Sequence, residues 1–187
     1  ALFKVFDIPL VEHVYRRALE SEVLDDLIVA TDSQAIADHI DSIGGKAVLT
    51  SESHRNGTER MCEIIEQYKF DLYTLINGDE ILLNPDSIKV SIETLIKSDC
   101  DVSMLVVPFK YKKSPSDFKV VLNLKNEVMY ISRNDIPSDA RNPVESYLKA
   151  YHLMTFTPEI LKIYSKLSKS PLEKLELHEH LRLLENG

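Results

Sequence analysis

In the first half of the chain, short apolar runs alternate with stretches where apolar residues recur every three or four positions. This alternation predicts strands and helices in turn. Helical periodicity covers residues 10–20, 33–43, 58–67 and 86–97, the last opened by Pro85, and strand-like runs lie at 27–31, 46–49, 72–76 and 101–107. The second half reads differently. Lys119–Leu122, Glu127–Ile131 and Tyr147–Phe156 are strand-like with no helix between them. Two helices then close the chain, one started by Thr157-Pro158 and one by the capping-box pattern Ser170-Pro171-Leu172-Glu173. The expected fold is α/β, with a mostly parallel central sheet between helices and a mixed or antiparallel subregion in the second half. No internal repeat and no clear linker is visible, so residues 1–187 read as one domain.

Two turns in this layout carry candidate chemistry, because α/β folds place ligands at the carboxyl ends of their strands. The first follows Lys46-Ala47-Val48-Leu49: six polar or small residues, then Asn56-Gly57-Thr58-Glu59-Arg60 at the start of a helix whose apolar face is Met61, Ile64 and Ile65. Backbone N–H groups at a helix start suit an anionic or carbonyl-rich ligand, and Gly57 lets it approach the main chain. Asn56 and Glu59 also have the spacing of an ordinary capping box, which would satisfy those donors internally. The second turn follows the apolar run Leu72–Ile76 and consists of Asn77-Gly78-Asp79-Glu80. A carboxylate there can hold Mg²⁺ through one oxygen, with phosphate and water completing the octahedron. A plain Asn-Gly turn with solvated acids is the alternative.

The order of segments resembles the CMP-Kdo synthetases, or 3-deoxy-manno-octulosonate cytidylyltransferases. The matching stretches are Pro9-Leu10-Val11-Glu12-His13-Val14 with Arg17-Ala18, Ile28-Val29-Ala30-Thr31-Asp32, His54 through Arg60, and Asn77 to Glu80. They continue with Tyr130-Ile131-Ser132-Arg133 and Ile136-Pro137, Ser170-Pro171-Leu172-Glu173-Lys174, and Leu181-Arg182-Leu183-Leu184-Glu185-Asn186-Gly187. The resemblance implies a Rossmann-like nucleotidyltransferase fold, a homodimer, and transfer of CMP from CTP to an acidic eight-carbon sugar with Mg²⁺ as cofactor. It assigns metal binding to Asp79, and nucleotide contacts to Asn56, Gly57, Thr58, Glu59, Arg60, Asn77 and Gly78. It pairs Arg133 with the sugar carboxylate, a role that suits a bidentate guanidinium. The family more often has Ser at Asn56 and Gln at Asn77.

Further departures fall on the sugar side. The family's His-Ile-Gly-Ile-Tyr pattern is replaced by Ala150-Tyr151-His152-Leu153-Met154, and its Glu-Gln pair in the last helix by Glu179-His180, with His178 just before. His152, Glu179 and His180 are therefore candidate sugar contacts, and a changed sugar is expected. In 8-amino-Kdo an amine replaces the terminal hydroxyl, and Glu179 offers its ammonium a partner. Family members also have a strand and a basic, Gly- and Ser-containing triphosphate loop before the position of Ala1. Beyond Gly187 they have a strand and a turn with a second metal-binding aspartate. The chain is expected to lack these segments. Other readings are activation of a sialic-acid-like ulosonic acid, and a catalytically silent nucleotide-binding relative.

Composition narrows the classes. With 187 residues and 44% hydrophobic content the chain can bury a sizeable core, and no long apolar span or low-complexity tract points to a membrane or disordered protein. A net charge of −8 and a pI near 5.3 argue against nucleic acid as a partner, so cations for an anionic substrate must be local, as Arg60, Arg133 or bound metal. Cys62 and Cys100 lack paired spacing and read as reduced, partly buried thiols, and no signal peptide is recognisable; a cytoplasmic enzyme is expected. Asp99-Cys100-Asp101 has the Asp-x-Asp form of metal-dependent glycosyltransferases, but its place between a helix end and a buried strand marks a polar turn. Phe109, Tyr111, Phe118, Tyr147 and Tyr151 near the mixed-sheet strands offer a face for a second copy or for the core.

Overall fold

The chain opens with a hairpin, β1 (Lys4–Val5) and β2 (Ile8–Pro9), whose turn holds Phe6 and Asp7 at φ of 49° and 63°. Helix α1 (Leu10–Leu19) follows and buries Val11, Val14 and Ala18, which helical spacing brings to one face. Glu12 is buried on the same helix, and Arg16 (2.8 Å) and His39 (2.7 Å) hold its carboxylate. His39 belongs to α2 (Gln34–Ser42), so this polar contact joins the two helices. The computed structural model describes residues 1–111 and 113–187.

Strand β3 (Ile28–Thr31) leads through α2 to β4 (Lys46–Leu49), and the two strands pair in parallel with Ile28 opposite Lys46. Next come α3 (Gly57–Gln67), β5 (Tyr73–Ile76), α4 (Pro85–Ile96) and β6 (Val102–Phe109). The long strand β9 (Tyr147–Phe156) runs antiparallel to β5, with Tyr73 opposite Phe156 and Ile76 opposite Leu153, and leads into α5 (Pro158–Tyr164). The expected parallel pairing is thus found between β3 and β4, whereas β5 takes the returning β9. Among the described residues no strand pairs with the other edge of β3 or of β5.

Strands β7 (Lys119–Leu122) and β8 (Val128–Ser132) form an antiparallel pair, and β7 also pairs antiparallel with β9, Val120 opposite Leu148. Phe118, Val120, Ile131, Ala150 and Leu181 form the core there. Helices α6 (Pro171–Glu176) and α7 (Leu181–Asn186) are tied by a buried bidentate ion pair between Glu173 and Arg182 (2.8 and 2.6 Å). Ser170 and Glu173 form the expected capping box.

The expected last helix is in fact two. Leu177 takes a left-handed conformation (φ 54°, ψ 44°) that ends α6, so His178 and Glu179 lie in a turn and His180 caps α7. Where the sequence shows no linker, contacts divide the chain into two compact units: Ala1–Ser103 with His152–Ser165, and Met104–Tyr151 with Lys166–Gly187. The division runs through β6 and β9 rather than between elements, so no composition change marks it.

Candidate active site

In the first unit, the candidate site grows from the start of α3. Asn56 is its N-cap: Oδ1 accepts from the Glu59 N–H (2.8 Å) and Nδ2 donates to the Tyr164 hydroxyl (3.3 Å). The second half of a capping box does not form. Glu59 accepts instead from the Arg55 N–H (3.0 Å) and guanidinium (2.9 Å), which fastens the preceding loop to the helix. The Asn56 and Glu59 side chains thus hold the helix start, and Thr58 is fully buried beneath it. Of the five residues of this segment expected to meet a nucleotide, Gly57 and Arg60, both partly buried, are the two that line a groove.

Gly57 has a packing reason as well. A Cβ there would lie 3.1 and 3.3 Å from the methyl carbons of Leu75, so glycine lets the helix start close on β5. Gly78 has room for a side chain, its nearest neighbour being Val11 at 3.8 Å. Arg60 is fixed from two sides: Nη2 donates to Asp32 (2.8 Å), just past β3, and Nη1 donates to Thr50, just past β4. Behind it, Glu63 accepts from the Ser51 N–H (3.0 Å) and pairs with His54 Nε2 (2.5 Å). The Ser51 bond, and after it His54, hold the Glu63 carboxyl below the usual range.

A groove of about 700 Å³ runs along β3 and β5, and Gly57, Arg60, Asn77 and Gly78 are all part of its lining. Four of the predicted nucleotide residues, from two turns twenty residues apart, therefore share one depression. Beyond Gly78 the chain turns with the Glu80 N–H on the Asn77 carbonyl (3.1 Å), which leaves Asp79 exposed. Among the described residues no group of three or more His, Cys, Asp or Glu stands ready to hold a metal. The donor set fits a hard cation that takes one carboxylate from the protein and its other oxygens from phosphate and water. His152 lies on β9, partly buried. Asp101 is engaged by Thr157, whose Oγ and N–H donate to its carboxylate and carbonyl (2.8 and 2.9 Å), and this accounts for the Asp-x-Asp segment as part of a turn. Cys62 is partly buried, whereas Cys100, contrary to expectation, is exposed.

In the second unit, Arg133 is braced from three directions. Its Nε donates to the Glu176 carbonyl (2.9 Å), its Nη1 to the Pro115 carbonyl (2.6 Å), and its guanidinium stacks on the Phe118 ring at 4.1 Å. The Glu176 carboxylate accepts from the Arg133 N–H (2.8 Å), the Ser132 hydroxyl (2.6 Å) and the Tyr130 hydroxyl (3.1 Å). Burial pushes the Glu176 carboxyl up, but the Arg133, Ser132 and Tyr130 bonds outweigh it and hold the group below its ordinary value. Phe118 also meets His178 edge-on (4.4 Å), and His178 meets His180 (5.2 Å). Glu179 Oε1 lies 3.6 Å from His180 Nε2. One row of rings thus links Arg133, Glu179 and His180. Glu176 escaped the sequence reading, and Phe118 was read only as an aromatic of the core or of a dimer face, since neither falls on a candidate turn.

The cytidylyltransferase family profile matches residues 1–187. The chain belongs to the cytidylyltransferase family. A 3-deoxy-manno-octulosonate cytidylyltransferase of Fusobacterium nucleatum is 38% identical over 184 residues, 95% of this chain and 74% of the relative. The Escherichia coli protein of that name is 31% identical over 96% of this chain and 74% of its own. The solved structure of a CMP:2-keto-3-deoxy-manno-octonic acid synthetase complexed with CTP superposes with a TM-score of 0.92 at 29% identity, over all of this chain and 78% of the other. That match bears out the expected α/β nucleotidyltransferase fold. At the two nucleotide positions expected to differ from the family, Asn56 caps α3 and Asn77 lines the groove.

Proposed function

We propose that this protein is a CTP-dependent cytidylyltransferase that activates an acidic octulosonate, Kdo or its 8-amino form, to the CMP-sugar with release of pyrophosphate. The observation that carries this reading is the groove in which Gly57, Arg60, Asn77 and Gly78 meet, with Arg60 already oriented by Asp32 and Thr50. A planar guanidinium and main-chain groups beside small residues suit the carbonyl and amino edge of a pyrimidine. In the second unit, Arg133 presents a fixed guanidinium to the sugar carboxylate.

In the reaction, the anomeric hydroxyl forms a bond to the α-phosphorus of CTP as the bond to pyrophosphate breaks. Charge grows on the leaving oxygen, so the protein must chiefly position two anions that repel each other. Asp79 would hold Mg²⁺, which when bound supplies charge stabilisation at the phosphates. Asp79→Asn keeps size and turn geometry but loses the formal charge. Turnover in the full-length protein is expected to fall by a factor on the order of a hundred or more, with the fold intact. Near wild-type turnover at limiting Mg²⁺ would remove Asp79 from the metal site.

Glu179 supports the 8-amino sugar, whose ammonium would share the carboxylate with His180. Relative turnover of Kdo and 8-amino-Kdo decides this: equal or better use of Kdo rejects the amine reading. CMP-Kdo of this kind would serve lipopolysaccharide synthesis in the cytoplasm. The protein would act as a homodimer, which light scattering at micromolar concentration tests, a monomer mass counting against it.

A further inference from the structure

A lysine buried out of contact with water is costly unless its donors are met. Lys119 opens β7 with its side chain 0% exposed, and Nζ donates to the carbonyls of Ser114 (2.7 Å), Asp117 (2.8 Å) and Arg133 (2.7 Å). All three N–H groups are therefore used. The nearest carboxylate, Asp135, stands 3.5 Å away and itself accepts from the Lys113 N–H (2.9 Å). Asp117 pairs with Lys149, and Ser114 Oγ bonds Asp117 across the turn.

The identity of the three carbonyls gives this ammonium more than a packing role. Two come from the 114–117 turn and the third is that of Arg133 itself. Pro115, inside the same turn, accepts from Arg133 Nη1. Lys119 thus fixes Arg133 at both ends: its main chain directly, and its guanidinium through the turn that carries Pro115. Phe118, the ring on which the guanidinium stacks, is the residue next to Lys119, so the same anchor sets the stacking surface. We propose that Lys119 is a positioning residue for Arg133, preorganising its guanidinium for the carboxylate of the acidic sugar. This rests on the reading of Arg133 as the carboxylate-binding residue. Lys119 itself reaches no ligand; it acts through Arg133.

The test is steady-state kinetics of the full-length protein with CTP and Kdo for Lys119→Met, Arg133→Ala and the double variant. Misplacing a binding group by about 1 Å costs on the order of ten- to a hundredfold, so Lys119→Met should raise the KM for the sugar at least about tenfold and leave that for CTP within about twofold. Arg133→Ala should raise the sugar KM as much or more. The double variant should match Arg133→Ala alone, since the lysine has nothing left to position. Two results overturn the proposal while leaving the role of Arg133 standing. One is an unchanged sugar KM in Lys119→Met when Arg133→Ala raises it. The other is a Lys119→Met effect that falls on both substrates and adds in full to that of Arg133→Ala, which is the mark of a purely structural residue. If Arg133→Ala leaves the sugar KM unchanged, the carboxylate reading itself is refuted and this proposal with it. Should Lys119→Met not fold, Lys119→Gln keeps two N–H donors; it should raise the sugar KM at least about threefold without moving that for CTP, and no rise overturns the proposal.

Discussion

Replacing Glu176 by Gln tests the bracing of Arg133 at its most heavily bonded group. The carboxylate takes three hydrogen bonds, two from hydroxyls on Oε1 and one from the Arg133 N–H on Oε2. Glutamine preserves the shape and offers two orientations. In one, the amide nitrogen faces the Arg133 N–H and two donors confront each other. In the other, the oxygen accepts from Arg133 and the NH₂ donates to Ser132 and Tyr130, whose hydroxyls can rotate to accept. The second is cheaper, so the cost is the change of three charge-assisted bonds to neutral ones, on the order of 1 kcal/mol each. Glu176 is only partly buried, and solvent screens part of that, which brings the expectation to about 1.5–2 kcal/mol.

Urea unfolding at pH 7, followed by circular dichroism, measures the difference. The pH dependence provides a second reading. The Glu176 carboxyl is held below its ordinary value of 4.5, because the bonds outweigh burial. A depressed carboxyl contributes stability that is fully present above that value and is lost as pH falls through the folded one. Wild type and Glu176→Gln should therefore converge below pH 4.5. A difference under about 0.5 kcal/mol at pH 7, or one that persists undiminished at pH 3, would refute the reasoning.

Two further outcomes concern the frames around the sites. Arg182→Met removes one half of a pair whose side chains are 2% and 5% exposed and strands the Glu173 charge; a loss of about 3–5 kcal/mol is expected by urea unfolding, and under about 1 kcal/mol would deny the pair its anchoring role. Asn56→Ala deletes the α3 cap and the bond to Tyr164 and should cost about 1–2 kcal/mol, while Asn56→Ser should recover most of the cap by the same measurement.

Helices and strands were legible because their periodicities are local. Met61, Ile64 and Ile65 mark one face of α3 whatever lies against it, and the predicted limits of β4, β7 and β9 coincide with the observed ones. Strand partnership is not local. The run Leu72–Ile76 announces a buried strand but not that its neighbour will be Leu153–Phe156 from eighty residues on, running the other way. The break at Leu177 was hidden for another reason: left-handed turns are usually marked by Gly or Asn, and here the position carries leucine. Glu176 could be named only once β8 and α6 were side by side, since Arg133 and Glu176 are forty-three residues apart. Lys119 did leave a signal, a charged residue beside Val120-Val121-Leu122 in a strand too apolar to be exposed.

The two candidate arginines are held by different chemistry, and the difference sorts their ligands. Arg60 gives Nη2 to the Asp32 carboxylate, so its charge is already largely answered, and a second anion would have to compete with Asp32. A neutral carbonyl, such as that of a pyrimidine, needs only a share of its N–H groups. The Arg133 guanidinium donates to two neutral carbonyls, those of Glu176 and Pro115, and its Nη2 has no hydrogen-bond partner among the described residues. The Glu176 carboxylate is nearby, but its oxygens are taken by a backbone N–H and two hydroxyls. Arg133 therefore keeps an oriented N–H edge with charge to spare, which is what a carboxylate requires and what Arg60 lacks. If the roles were reversed, Arg133→Lys would weaken CTP and spare the sugar; on the arrangement described it should do the opposite.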